Sequence, residues 1–282
     1  MIRLAALGVT LILVVGLIGL HRLALSMLRP PRRAPGRTPD DLGLAFREWS
    51  VPGVPRLEGW WMQGGRTDGP VVILSHGWGA NGGVVLPLAS ALRDHASSLV
   101  AYDVRGHGRS DEDVPKVSLR QFRDDALRAV SAVQADAPDR SVVFVGHSMG
   151  GAAGILAAAE GAPLAGLVLV ATPHDVYGAM ARYLSDKGLP GHLLVPLLRP
   201  FFRVQVGLPT RILHPGRALA RVQVPVLVIQ PGEDTRVLPV DGRRLAEAAG
   251  TDVAMIEGVG HTEVLQHPRA ARLVQQFVAA LG

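Results

Sequence analysis

The sequence contains no cysteine. That excludes a disulfide framework, a thiolate zinc site, a thiol nucleophile and a Cys-ligated iron–sulfur cluster. Charge is also sparse, at 19% Asp, Glu, Lys and Arg, and glycine plus proline make up only 54 of 282 residues. A disordered or collagen-like chain is excluded on those grounds. There is no internal repeat, and no metal-ligand cluster, nucleotide-binding loop or redox motif, so no cofactor is expected. What is abundant is apolar: 48% of the residues are hydrophobic, enough for one large α/β domain or two small ones.

The most uneven absence is of acid. The net charge is +5, yet residues 1–39 carry Arg3, Arg22, Arg29, Arg32, Arg33 and Arg37 with no Asp or Glu, which leaves 23 basic against 24 acidic residues from position 40 onward. A DNA-binding domain concentrates its basic residues in the folded body, and this body is neutral. Nucleic acid is therefore not expected as a partner.

The charge asymmetry surrounds an apolar segment. Leu4–Leu20 runs 17 residues without a charge, and at ~1.5 Å per residue it reaches about 26 Å. His21 and Arg22 can snorkel and Leu23–Leu28 extends the stretch, so a ~30 Å hydrocarbon core can be spanned. We read residues 1–28 as an uncleaved transmembrane anchor. The competing reading is a signal peptide, for which Arg3 is the only basic side chain before the apolar core and Ala24-Leu25-Ser26 is a weak cleavage site. One basic residue precedes the span and five follow it, which predicts a single pass with the body facing the cytoplasm. Residues 29–40, with RPPRRAPGRTP at Arg29–Pro39, read as a semi-extended linker whose arginines can rest on anionic headgroups.

Beyond the linker, Val71–Ser75, Ser98–Tyr102, Val142–Gly146, Leu167–Ala171, Val226–Gln230 and Val253–Glu257 are short runs rich in Val, Ile and Leu. They are too continuous to have one wet face, the mark of parallel strands buried on both sides. Helices are predicted over Gly83–His95, Leu119–Ala137, Met149–Glu160, Val240–Ala249 and Pro268–Leu281. Ala45–Ser50 and Leu57–Met62 read as an antiparallel hairpin opening the sheet. The fold class is therefore α/β: a mostly parallel sheet covered by helices on both faces, occupying residues 41–282. The stretch of about 172–223 is too long for a simple crossover and reads as an inserted helical cap, with an apolar segment at Gly191–Phe202.

In such sheets the chemistry gathers at the carboxyl ends of the strands. After the third of the buried runs comes Gly146-His147-Ser148-Met149-Gly150. A G-x-S-x-G that ends a strand and opens a helix forces its serine into a strained turn, with glycines either side so that neighbouring chain can pass. Ser148 is the candidate nucleophile. His147, its neighbour, is read as pointing away into the packing. After the first run comes His76-Gly77-Trp78-Gly79, where the Trp78 N–H, paired with that of Met149, can form an oxyanion hole. His261, in Gly258-Val259-Gly260-His261-Thr262 after the last run, is the candidate base. Asp234, after Val226–Gln230, is the candidate acid that would hold its imidazole. Glu233 and Asp175 are fallbacks for the acid.

With these motifs and the turn Asp103-Val104-Arg105-Gly106-His107-Gly108-Arg109-Ser110, the chain from about residue 44 onward resembles the α/β-hydrolases. The likeness is to the serine-hydrolase branch of monoacylglycerol-lipase-like and serine-aminopeptidase-like proteins. The resemblance implies Ser148 as nucleophile, His261 as base, and the Trp78 and Met149 N–H groups as oxyanion donors. One departure stands out. Family members commonly carry G-x-x-D-x-x-V-P at the acid loop, and counting from Gly232 puts Thr235 at the acid position, with Asp234 one residue early. The expected function is hydrolysis of a carboxylic ester, with a lipophilic substrate such as a monoacylglycerol or lysophospholipid suggested by the apolar cap and the anchor. Peptide hydrolysis, acyl transfer or haloperoxidase-like chemistry on the same residues, and a non-catalytic membrane-tethered binding protein, stay open.

Overall fold

A computed structural model describes residues 2–111, 116–207 and 214–281. The body is built on one eight-stranded sheet in the order β1-β2-β4-β3-β5-β6-β7-β8. Strands β1 (Phe46–Val51) and β2 (Leu57–Gln63) form the opening hairpin, and β2 also runs antiparallel to β4 (Ser98–Tyr102). The remaining strands, β3 (Val71–Ser75), β5 (Val142–His147), β6 (Gly166–Val170), β7 (Val226–Pro231) and β8 (Val253–Ile256), pair in parallel. Every residue of β3, β5 and β6 is buried, so their continuous apolar character reflects helices on both faces.

Helix α3 (Leu119–Asp136) turns Phe122, Ala126, Ala129, Val130 and Val133 onto one face of the sheet, and Ser118 caps it in a capping box with Gln121. Helix α4 (Met149–Ala159) shares that face, while α2 (Leu86–Leu92) and α9 (Pro268–Ala279) cover the other. Helix α8 (Pro239–Ala249) joins β7 to β8. The helix expected over Gly83–His95 is shorter: α2 is flanked by 3-10 turns at Gly82–Val84 and Arg93–His95. Consecutive glycines and the early Pro87 favour a tight turn before regular helix begins.

The insertion between β6 and β7 folds as α5 (Val176–Asp186), α6 (Gly191–Val206) and the short α7 (Pro215–Leu219). Leu184, Val195, Leu198 and Phe202 form a small separate core there, and Ala24 and Leu28 complete it. Ala24 belongs to α1 (Ile2–Ser26), which is long and apolar enough to cross a membrane and whose Leu7–Ile18 stretch is exposed. The C-terminal end of α1 therefore packs against the cap, with the His21 and Phe201 rings 6.0 Å apart.

Part of the linker lies on the body. Arg32 donates to the carbonyls of Gly108 (2.9 Å) and Ser110 (3.1 Å), and Asn81 donates to those of Arg33 (3.1 Å) and Ala34 (3.3 Å). Proline-rich chain has carbonyls without matching N–H groups, so it bonds outward through them.

Candidate active site

Sheet topology alone singles out one crevice. The chain order reverses about β3, which has β4 on one side and β5 on the other. Such a switch point opens a cleft beyond the strands' carboxyl ends. Ser75 and Gly146 are paired across β3 and β5, so the loop at His76 and the turn at Ser148 leave the sheet side by side.

The Ser148 backbone sits at φ 54°, a left-handed conformation that side chains larger than glycine rarely adopt. The flanking glycines explain how the turn closes. A Cβ at Gly150 would lie 2.5 Å from the carbonyl oxygens of Ser75 and His76, and one at Gly146 would run into the Gly151 backbone. Gly77 is needed for a third approach: a Cβ there would fall 2.8 Å from the Ser148 Cβ and 3.3 Å from its Oγ. The His76–Gly79 loop therefore presses directly on the serine. Among the described residues, neither the Trp78 N–H nor the Met149 N–H donates to a protein acceptor. Both remain available to a ligand, the second at the amino end of α4.

Two buried histidines brace the loop on either side of Trp78. His76 Nδ1 is 2.7 Å from the Gly77 carbonyl and its Nε2 is 3.0 Å from the Val104 N. His107 Nδ1 is 3.0 Å from the Arg105 carbonyl and its Nε2 is 3.1 Å from the Gly79 N. A carbonyl can only accept and an N–H can only donate, so both rings are the neutral Nδ1–H tautomer. Burial holds them there: it pushes His76 down to about 4 and His107 to about 3, the latter with help from His76 nearby. Asp103 completes the brace by accepting from the N–H groups of Gly82 (2.6 Å) and Arg109 (2.8 Å).

On the neighbouring strands, Asp234 follows β7 and His261 follows β8. Their side chains meet, with Asp234 Oδ2 2.6 Å from His261 Nδ1, and the carboxylate is fully buried. Its other oxygen, Oδ1, accepts from the N–H groups of Arg236 and Val237, both at 2.9 Å. In this turn Thr235 is exposed, while Asp234 is buried and faces His261. The fallbacks lie elsewhere. Asp175 caps α5 by accepting from the Tyr177 N–H at 3.0 Å, and Glu233 is exposed.

His147 is buried in the packing, as expected, and there its Nε2 lies 2.8 Å from the His261 carbonyl oxygen, with the two rings 4.8 Å apart. Nε2 must carry the proton, so His147 donates to the main chain of the candidate base. Burial, then the nearby His261, lowers it to about 3 and keeps it neutral. Sequence reasoning also passed over His76 and His107. The available signal was position: His76 directly follows a fully buried strand, and a buried imidazole must find partners for both nitrogens. Among the described residues no three of His, Asp and Glu are grouped as metal ligands.

Comparison with known proteins places this geometry in a wider set. The family described as serine aminopeptidase, S33, matches residues 68–187. The monoglyceride lipase of Rattus norvegicus is 35% identical over 141 residues, which cover 46% of this chain and 42% of that protein. The match thus spans less than half the length of that lipase. The pimeloyl-[acyl-carrier protein] methyl ester esterase of Stenotrophomonas maltophilia is 30% identical over 255 residues, covering 76% of this chain and 95% of the relative. Among solved structures, an esterase of Pyrococcus furiosus superposes with a TM-score of 0.73 at 19% identity, over 90% of this chain and all of that one.

Proposed function

The chain belongs to the serine hydrolases of the α/β-hydrolase fold, and on that premise we propose that it is a membrane-anchored enzyme cleaving lipophilic carboxylic esters through an acyl-enzyme on Ser148. The observation that carries the reading is the His261–Asp234 pair on the same carboxyl edge of the sheet as the strained Ser148, whose neighbour His147 bonds the His261 carbonyl. With Nδ1–H given to Asp234, Nε2 is left as the basic nitrogen. It takes the Ser148 proton as Oγ attacks the ester carbonyl. The tetrahedral oxyanion rests on the Trp78 and Met149 N–H groups, an arrangement worth ~3–4 kcal/mol per donor. Protonated His261 then gives its proton to the departing alcohol, and the acyl group stays on Oγ. Water, deprotonated by the same nitrogen, attacks the acyl-enzyme and releases the acid and free serine.

Lipophilic substrate is favoured by the apolar cap and by α1. The relatives point the same way, one being a monoglyceride lipase and another a methyl ester esterase. An uncleaved α1 is favoured by packing: cutting near Ala24–Ser26 would strip the fully buried Ala24 from the cap core. The five arginines after the apolar run, against one before it, favour a cytoplasmic body. The test is labelling by a fluorophosphonate probe, expected on wild type and abolished by Ser148→Ala. Absence of labelling on folded wild type would return the chain to a binding role. Turnover of p-nitrophenyl esters should rise with chain length. Preference for aminoacyl p-nitroanilides would instead make it a peptidase, the activity named in the matching family's description.

A further inference from the structure

The linker after α1 crosses the two loops on which Trp78 depends. Pro31 lies against Gly79, its Cγ 2.9 Å from where a Cβ would stand, and the Arg37 carbonyl oxygen is 2.6 Å from the corresponding point on Gly83. Arg32 ties down the other loop. Its Nε and Nη2 bond the carbonyls of Gly108 and Ser110 at 2.9 and 3.1 Å. Those residues directly follow His107, whose Nε2 accepts the Gly79 N–H one residue beyond Trp78. Asn81 provides a separate tie, using its Nδ2 for the Arg33 and Ala34 carbonyls while its Oδ1 accepts from the Gly83 N–H at 3.1 Å. Two independent side chains thus clamp one eight-residue segment onto the oxyanion loop and its brace.

We propose that Pro30–Arg37 is a positioning strap for the oxyanion hole, latched by Arg32 and Asn81, so that the segment leading from the membrane helix sets the aim of the Trp78 N–H. The inference rests on reading Trp78 as an oxyanion donor. Prolines suit the task because their fixed φ keeps the strap extended, and their missing N–H leaves carbonyls free for Asn81. The effect falls on the transition state, because the ester carbonyl in the ground state needs these donors less than the oxyanion does.

The test uses the full chain in detergent micelles with a p-nitrophenyl ester. Arg32→Gln and Asn81→Ser each release one latch, and serine can still accept from the Gly83 N–H as a cap. Each is expected to lower kcat about tenfold, less than outright loss of a donor, with KM within about twofold. Because both free the same strap, the double variant should fall well short of the product of the two losses. Arg32→Lys should recover part of the rate. Arg29→Gln removes the same charge from an exposed position outside the strap, and it serves as the reference.

Rates for both latch variants equal to Arg29→Gln would overturn the strap, as would losses confined to KM or fully multiplicative in the double variant. Circular dichroism reports folding, and if Arg32→Gln fails to fold, Asn81→Ser against Arg29→Gln decides. Fluorophosphonate labelling of wild type separates the two levels. An unlabelled wild type refutes the serine-hydrolase mechanism itself, whereas labelled protein with indifferent latches refutes only the strap.

Discussion

Replacing Asp234 by Asn changes one atom and one charge, and the surroundings dictate how the new amide must sit. Oδ1 of Asp234 accepts two backbone N–H groups, from Arg236 and Val237, at 2.9 Å each. An asparagine must keep its oxygen on those donors, since turning the NH2 toward them would leave two buried N–H groups facing a third donor. The NH2 then faces His261 Nδ1. Nδ1 can no longer donate, so the imidazole proton moves to Nε2, the nitrogen that has to receive the Ser148 proton. In a Ser-His-Asp site this wrong tautomer costs kcat about 10⁴, or about 5.5 kcal/mol on the barrier. Asp175→Asn is the matched control: it keeps an acceptor for the Tyr177 N–H, and Asn is as good a helix cap as Asp. Steady-state hydrolysis of a p-nitrophenyl ester, with active-site concentration from probe titration, reads both variants. The reasoning fails if Asp175→Asn abolishes turnover while Asp234→Asn retains it.

Gly77→Ala should lower kcat by about 10²-fold with a modest loss of stability, because the added methyl meets the Ser148 Cβ at 2.8 Å and displaces the nucleophile; wild-type kcat in a folded variant would contradict it. Thermal stability should fall as pH drops from 7 toward 5. His76, His107 and His147 are held neutral by burial, near 4, 3 and 3, so below about 6.5 the unfolded chain binds protons that the folded one refuses, at a cost of about 1.4 kcal/mol per pH unit for each ring. Burial pushes the Asp103 and Asp125 carboxyls up, so protonation on the folded side blunts that slope at its acidic end. Calorimetry across this range on wild type and His107→Gln should show the smaller slope in the variant. Finally, the chain should resist carbonate extraction from membranes with its intact mass including α1, and a product starting after Ser26 would refute an anchor.

Legibility followed the range of the interactions. Strands β3 and β4 have the bounds that the apolar runs predicted, because burial on both faces writes itself into consecutive residues. The turn at Ser148 was legible for a similar reason: glycines at 146 and 150 record a local steric demand. Asp234 was legible as a residue but not as a register. Its place in the loop depends on a carboxylate that accepts from the Arg236 and Val237 N–H groups while reaching a loop 27 residues later. The linker's contacts with the body were not legible because its partners are 47 to 78 residues away, and composition shows proline and arginine but not the carbonyls they will meet.

Those contacts add to what the charge of the first 39 residues means. Six arginines without an acid near an apolar helix suggest attachment, yet Arg32 is engaged by backbone carbonyls on the body. A guanidinium suits such a place: its planar donors bond two carbonyls at once, where an ammonium offers one point charge. On the function proposed above the arginines divide between two tasks, with side chains such as Arg22 and Arg29 setting topology and Arg32 joining the N-terminal helix to the loops beside Ser148. On the strap proposed above, attachment and catalysis meet in a few residues of extended chain, so an engineered form that begins after the linker should lose turnover as well as any hold on a membrane.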